Sequence, residues 1–419
     1  MKRPELLAPA GDPLKLRIAL AHGADAVYGG VSHFSLRLRS SKEFDLESFK
    51  AGIDHAHSLG KKVYVTINGF PFNSQIKLFS DHIAAMRDLG PDALIVSSPG
   101  TVRLARKIAP DMPLHLSTQA NVLNRLDAEA YFEMGVKRII AAREMSLKDL
   151  EEIKTALPDL ELEIFIHGSM CFAYSGRCLI SSLQTGRVAN RGSCANDCRF
   201  EYELFVQNPE SGVLMRLEER EEGSYLFNAK DLNLMSHLNT ILQSGVIDSL
   251  KIEGRTKSAY YAGAVTRAYR LALEAIARGE GDLSAYEAEL ATTKNRGFTD
   301  GYLIKRPYEK SGEETLHTSQ SEGTHQVAAI VREEGDLFDT KERIRPGDRL
   351  EVIAPPGERI APADNPIGTL SEENGRFFVT LRTIQTESGK ELTEVHSGNL
   401  NPIRLPDRLP PYTFLRRAL

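Results

Sequence analysis

The chain has 419 residues, 41% of them apolar and 26% charged, enough apolar material for a large core and for two domains. A formal net charge of −5 rules out a global excess of positive charge as a reason to expect nucleic acid. The opening MKRPELLAPAGDP sets a glutamate and prolines where a secretory leader needs an unbroken apolar run, and no stretch approaches a membrane span, so a cytoplasmic protein without membrane attachment is expected.

From the amino terminus, short apolar runs at 5–8, 26–29, 62–67, 93–97, 114–118, 138–141, 162–167 and 249–253 predict strands. Amphipathic segments at 13–22, 46–59, 73–89, 99–108, 126–134 and 146–157, many followed by Gly or Pro, predict helices between them. Strict β/α alternation with near-continuous apolar strands implies a parallel sheet covered by helices, either a (β/α)8 TIM-like barrel or an open doubly wound sheet. No Gly-x-Gly-x-x-Gly follows the first strand and no Walker-type loop appears, which favours the barrel. Barrel chemistry sits where strands end, and the predicted ends carry Asn68, Ser97, Gln119, Glu144, His167, Glu253 and Arg255.

Directly after the seventh predicted strand come all four cysteines of the chain, Cys171, Cys178, Cys194 and Cys198, spaced Cys-x6-Cys-x15-Cys-x3-Cys. Thiols grouped in this way can close around one soft metal centre if the intervening segment folds back. Two disulfides would use the same residues, but a reducing cytoplasm disfavours them. Tetra-thiolate zinc remains open, although it usually shows short Cys-x2-Cys knuckles, and Gly176, Gly186 and Gly192 suit backbone amides donating to cluster sulfurs. Arg177, Arg187, Arg191 and Arg199 outweigh Asp197 here, either as a solvated face or as a contact for a phosphate-bearing partner.

Past the cysteines, runs at 200–206 and 212–217 predict an inserted hairpin around 199–227, followed by an acidic run and a helix starting near Asp231. A long helix at 258–278 follows. A polar stretch at 309–324 reads as a linker that closes a barrel domain spanning 1–308. Alternating segments at 327–331, 349–353, 369–370, 376–381 and 393–396 predict a small C-terminal antiparallel β-barrel over 325–419, ending in a basic tail with Arg404, Arg408, Arg416 and Arg417.

The run EIFIHGSMC at 163–171, continued by FAYSGRCLIS at 172–181, resembles the signature of the U32 family, historically called collagenase-like peptidases. LAPAGD at 7–12, KDL at 230–232, KIEGR at 251–255 and NRGFT at 295–299 extend the resemblance nearly end to end. Within the family, the cysteine spacing and the terminal PPYTFLR at 410–416 are similar to the branch that forms 5-hydroxyuridine at the tRNA wobble position without oxygen. The resemblance implies a [4Fe–4S] cluster on Cys171, Cys178, Cys194 and Cys198, prephenate as co-substrate and tRNA as partner, with an electron donor or companion protein as a further candidate partner. Hydroxylation of rRNA or another substrate by the same chemistry, and a noncatalytic scaffold, are alternatives.

Against that frame, His167, Glu253 and Arg255 are the expected catalytic residues, His167 moving a proton or orienting substrate and Arg255 gripping a carboxylate. Asn68, Gln119, Lys230 and Arg177 are the expected substrate-binding residues, with Phe172, Tyr174 and Phe200 available for base stacking. A peptidase could be assembled from Cys171 or Ser169 with His167 as base, but no Gly-x-Ser-x-Gly elbow or His-Glu-x-x-His helix is present. Oligomeric state is not legible.

Overall fold

A computed structural model describes residues 3–31, 34–35, 44–171, 175, 177–178, 180–185, 197–199, 204–207, 209–210, 212, 214–217, 230–304 and 323–419. These fall into two compact units, one within Met1–Arg17, Asp25–Lys257 and Asn295–Glu322, the other within Ile18–Ala24, Ser258–Lys294 and Gly323–Leu419.

In the first unit β1 (Glu5–Pro9), β2 (Ala26–Gly29), β3 (Lys62–Thr66), β4 (Ala93–Val96), β5 (Leu114–Leu116), β6 (Arg138–Ile140) and β7 (Glu161–Ser169) pair in parallel, each with the next. After the antiparallel hairpin β8 (Leu204–Gln207) and β9 (Leu214–Leu217) come β10 (Asp231–Asn233) and β11 (Ser249–Ile252). β11 pairs in parallel with both β7 and β1, which closes an eight-stranded barrel with helices between its strands. β10 runs antiparallel to the end of β7, and β12 (Phe298–Thr299) adds to β10.

The helices begin where the chain supplies an oxygen to the first-turn amides. α1 (Pro13–Ala21) follows β1, and α2 (Leu46–Ser58) is capped by Asp45, whose carboxylate accepts from the Ser48 amide at 2.7 Å. α3 (Ile76–Asp88) follows a 3-10 turn at Asn73–Gln75, so the single helix expected over 73–89 is split. α4 (Pro99–Ile108) carries Ser98 as cap and Pro at its first position, α5 (Arg125–Glu133) uses Asn124, and α6 (Leu147–Ala156) uses Ser146.

Alternation along the strands turns Leu7, Tyr28, Tyr64, Ile95 and Ile140 into the barrel interior, with Phe165 packed on them. The same alternation turns in Glu5, Arg138, Glu163 and Lys251, and these form one ionic chain. Arg138 Nη1 lies 2.7 Å from Glu5 and 3.1 Å from Glu163, and Lys251 Nζ lies 2.7 Å from the other Glu163 oxygen. Burial works to raise the Glu163 carboxyl, but the Lys251 and Arg138 charges overcome it and hold it below the usual carboxylate range.

The second unit contains α9 (Ala259–Ala277) and α10 (Ser284–Leu290), with α7 (Ile180–Thr185) and α8 (Leu238–Ser244) preceding them in the first. Its strands are β13 (His325–Val331), β14 (Leu337–Thr340), β15 (Arg349–Ile353), β16 (Ala363–Asn365), β17 (Gly368–Glu373) and β18 (Arg376–Leu381). They are followed by β19 (Ile384–Gln385), β20 (Glu391–Leu392), β21 (Ile403–Arg404) and β22 (Phe414–Ala418). Eight of these form one curled antiparallel sheet ordered β16-β17-β18-β15-β22-β13-β14-β21 over a core that includes Val331, Phe338, Leu350, Val379 and Leu381. α9 approaches β22 so closely that a Cβ on Gly263 would sit 2.6 Å from the Phe414 ring.

Arg416, read in sequence as part of a basic tail, is buried within β22. Its guanidinium bonds buried Glu351 at 2.8 Å and takes both oxygens of half-buried Glu289 at 2.7 and 3.1 Å, a matched cation between two carboxylates drawn out of water. Replacing it with leucine leaves both uncompensated, so Arg416→Leu is expected to destabilise the second unit by about 3–5 kcal/mol. Urea unfolding of the full-length chain followed by circular dichroism, suited to a protein without tryptophan, would read this as a lowered midpoint.

Candidate functional site

At the carboxyl ends of the barrel strands lies a cavity of about 70 Å³, room for roughly five water molecules. Four residues singled out in the sequence, Asn68, Gln119, Glu253 and Arg255, line it together. Lys251, Arg143 and Thr66 line it as well and were not singled out. Lys251 stood inside the KIEGR motif and Arg143 follows the sixth strand, so position at a strand end was the signal available for both.

Several polar groups on this wall are held by neighbours. Arg255 Nη1 donates to the Ser35 and Thr66 hydroxyls, both at 2.8 Å, and the Thr66 hydroxyl donates to the Gly29 carbonyl at 2.9 Å. Lys251 Nζ sits 4.3 Å above the Tyr28 ring while bonding Glu163, and Arg143 stacks 3.9 Å above the Phe165 ring. Asn68 Nδ2 donates to Ser117 Oγ at 3.2 Å, and its carbonyl accepts from Ser97.

Two glycines make this packing possible. A Cβ on Gly30 would lie 2.6 Å from both the Ser35 and Thr66 hydroxyls, and one on Gly11 only 2.0 Å from the Arg255 carbonyl oxygen. Lys15, one turn into α1, also donates to that carbonyl at 3.3 Å and pairs with Asp12 at 3.1 Å. The LAPAGD motif thus seats the backbone of Arg255.

A second group gathers where β7, β10 and β12 meet. Asp231, expected at a helix start, lies instead on the strand β10, whose partner β7 claims its backbone, and α8 begins only at Leu238. Its carboxylate pairs with Arg296, both side chains being buried, and Lys257 lies 4.0 Å away. His167 on β7 is buried with its ring 5.5 Å from that of Phe298. Burial lowers its pKa to about 3 against the opposing pull of Asp231, so the imidazole is neutral at pH 7. His167 therefore lies with the Asp231 group and is not among the residues lining the cavity. Lys230 precedes β10 and is half-buried near Gly297.

The cysteine segment begins at the end of β7. Cys171 is exposed, Cys178 and Cys198 are half-buried, and none of the three is joined in a disulfide. Arg177 is exposed. Cys194 lies outside the described residues, as do Arg191, Phe172, Tyr174, Phe200, Gly176, Gly186, Gly192 and the linker as far as 322. Among the described residues no three His, Cys, Asp or Glu side chains stand together as a metal-binding group.

Two observations bear on whether these residues fit a tetra-thiolate centre. α7, starting two residues after Cys178, packs against the 3-10 turn Asp197–Arg199 that carries Cys198, so the chain doubles back between those two thiols. Ser175, between Cys171 and Cys178, is fastened to the barrel rim: its amide donates to Glu144 at 3.0 Å, and its hydroxyl is 3.4 Å from that of Thr118 on the cavity wall. A fold-back that brings together the segments carrying Cys178 and Cys198 fits soft-metal ligation, and its anchor borders the cavity.

The fold and site together define a TIM-type barrel protein with a cation-lined mouth and a cysteine-rich segment tied to its rim. The chain belongs to peptidase family U32, whose family model matches residues 11–313. It is 58% identical over 99% of both chains to tRNA hydroxylation protein P of Helicobacter pylori strain J99. It is 38% identical to tRNA hydroxylation protein P of Escherichia coli K12, over 85% of this chain and 87% of that one. A 35% match to the 23S rRNA 5-hydroxycytidine C2501 synthase of E. coli K12 covers 73% of this chain and 46% of that protein.

Among the described residues no helix is long and apolar enough to cross a membrane. The close approach at Gly11 yields a direct test of the wall. Gly11→Ala is expected to push the Arg255 backbone outward and lower the thermal midpoint by several degrees, whereas Gly100→Ala, whose Cβ meets nothing within 4 Å, leaves it near wild type. Parallel thermal melts by circular dichroism would check both.

Proposed function

We propose that this chain hydroxylates uridine in tRNA, forming 5-hydroxyuridine at the wobble position without molecular oxygen. The observation that carries this reading is the 58% identity to a tRNA hydroxylation protein over essentially the whole of both chains, the C-terminal unit included. A match confined to the barrel would have supported the fold and little about the substrate.

The proposal includes a [4Fe–4S] cluster on Cys171, Cys178, Cys194 and Cys198, with prephenate as co-substrate and the cytoplasm as the place of action. The donor set, the fold-back between Cys178 and Cys198 and the absence of a disulfide among the described thiols support it. Such a cluster supplies one-electron chemistry when bound. The anchoring of Ser175 by Glu144 keeps the thiol segment against the barrel mouth. Exposed Arg177 contributes positive charge there, suited to an RNA phosphate. Neutral His167 can orient substrate as an uncharged hydrogen-bonding group, and electrons are supplied by a donor or companion protein.

A peptidase reading finds less support. Its candidate base is buried against Phe298 while Cys171, one candidate nucleophile, is exposed and Ser169, the other, is buried.

Two measurements test the proposal. Mass spectrometry of tRNA nucleosides from a deletion strain is expected to show loss of 5-hydroxyuridine and its derivatives, restored by the wild-type gene and not by Cys194→Ala; undiminished levels would overturn the assignment. Anaerobically purified protein is expected to carry about four irons and as many sulfides per chain, lost in Cys194→Ala. Zinc in place of iron would refute the cluster and leave the tRNA assignment to be judged on the nucleosides alone.

A further inference from the structure

Strand alternation gives the C-terminal sheet one face toward its core and one away from it. Leu370 on β17, Val379 and Leu381 on β18 and Leu350 on β15 belong to the core. The opposite face of these strands carries Thr369, Ser371, Phe378, Thr380 and Arg349, with Ser371 paired to Phe378, and Thr380 paired to both Thr369 and Arg349. Over β22 the same face is covered, because Arg416 there reaches Glu289 of α10. Over β17 and β18 it is open: Thr369, Ser371, Phe378 and Thr380 are half-buried, and Arg349 and Arg376 are exposed.

On this open face the Arg349 guanidinium lies 3.8 Å over the Phe378 ring, and a Glu373 oxygen 2.5 Å away holds its outer end. The Arg349 side chain still keeps 47% exposure, so a second flat group can be laid on it. The hydroxyls of Thr369, Ser371 and Thr380 make no side-chain hydrogen bond among the described residues. Charge on the face is balanced, Arg349 against Glu373 and Arg376 against Glu351, which suits phosphate poorly and leaves stacking unaffected. A protein partner would call for more apolar area than the one ring of Phe378.

We propose that the open face of β15, β18 and β17 is a contact surface for a single-stranded stretch of tRNA, with a nucleobase stacked on Arg349, itself supported by Phe378, and the three hydroxyls meeting base edges or sugar. Resting on the function proposed above, this adds a grip on the substrate in the second unit. The matched family model ends at residue 313, short of this sheet, whereas identity to a protein named for tRNA hydroxylation runs over 99% of both chains. The sheet is therefore outside the matched family core and is shared with a relative named for tRNA. Unpaired RNA bases are held on aromatic rings and guanidinium planes of this kind, and the support of Phe378 and Glu373 limits the ordering that binding requires.

Binding of a fluorescently labelled tRNA transcript to the anaerobically purified full-length chain, read by anisotropy, tests the surface. Arg349→Ala is expected to weaken binding about fivefold or more, and Arg349→Lys nearly as much, because an ammonium keeps the charge and loses the flat face. Phe378→Leu is expected to act in the same direction. Lys390→Ala, which removes an exposed cation from the separate β19–β20 hairpin, is expected to leave affinity unchanged. All four variants are expected to melt as wild type; should Phe378→Leu unfold, the two Arg349 variants decide. Full affinity in Arg349→Lys overturns the stacking. Unchanged affinity in Arg349→Ala overturns the surface, and so does an equal loss in Lys390→Ala, the mark of unspecific attraction. Failure of the function is separable: tRNA held through Arg349, with nucleosides unchanged in the deletion strain, would keep the surface and remove the reaction. Loss of 5-hydroxyuridine in that strain, with affinity unchanged in Arg349→Ala, would do the reverse.

Discussion

The barrel mouth is organised from below by the buried chain Glu5, Arg138, Glu163 and Lys251. Removing such ions from water costs several kcal/mol each, and only close, hydrogen-bonded pairing offsets it. The geometry meets that condition, since Glu163 gives one oxygen to Arg138 and the other to Lys251 while Tyr64 donates to the second oxygen of Glu5. The four charged side chains come from β1, β6, β7 and β11, so the network joins strands on which the barrel closes. An apolar interior of equal volume could match it in stability. What the ions add is placement: a lysine on a flexible stem is held at the cavity wall by a fixed acceptor rather than left to wander among rotamers.

Close backbone approach carries that order outward to the rim. Arg255 is positioned at both ends, by two hydroxyls at its guanidinium and by the packing of Gly11 and the Lys15 ammonium at its carbonyl. The motif LAPAGD lies at one end of the chain sequence and KIEGR near its middle, and β1 and β11 are neighbours in the barrel. Their association is therefore a single contact: the first strand delivers a glycine to the turn that follows the last. A side chain at position 11 would displace the very residue on which the charge of the wall depends.

The barrel was legible because its strands are short, apolar and evenly separated by helices with clear caps, such as Ser98 before Pro99. Strand ends then pointed to Asn68, Gln119, Glu253 and Arg255, which do share one cavity. Lys251 and Glu163 were harder to weigh, because 88 positions separate them in sequence and a charged residue inside an apolar strand declares no partner. β10 escaped for a related reason: three residues, Asp-Leu-Asn, show no period of their own and are a strand only because β7 overruns the barrel and offers a free edge. Asp231 consequently looked like a helix cap until Arg296, 65 residues on, came beside it. Arg416 shows the same limit, a cation that composition places in a solvated tail and that two carboxylates draw into the sheet.

Family membership does not by itself select a chemistry, and the name peptidase makes a demand that the residues around β7 meet poorly. Acyl transfer needs a nucleophile and a base within hydrogen-bond reach, with the base able to accept and return a proton as charge develops. His167 is buried beside Phe298, where the protonated imidazole is strongly disfavoured: its pKa near 3 would make it a weak base at neutral pH. Thiols serving a metal centre need something different, namely several soft donors brought together by a chain that doubles back and is anchored to a rigid support. The packing of α7 on the turn carrying Cys198 and the bonds from Ser175 to Glu144 supply the doubling back and the anchor.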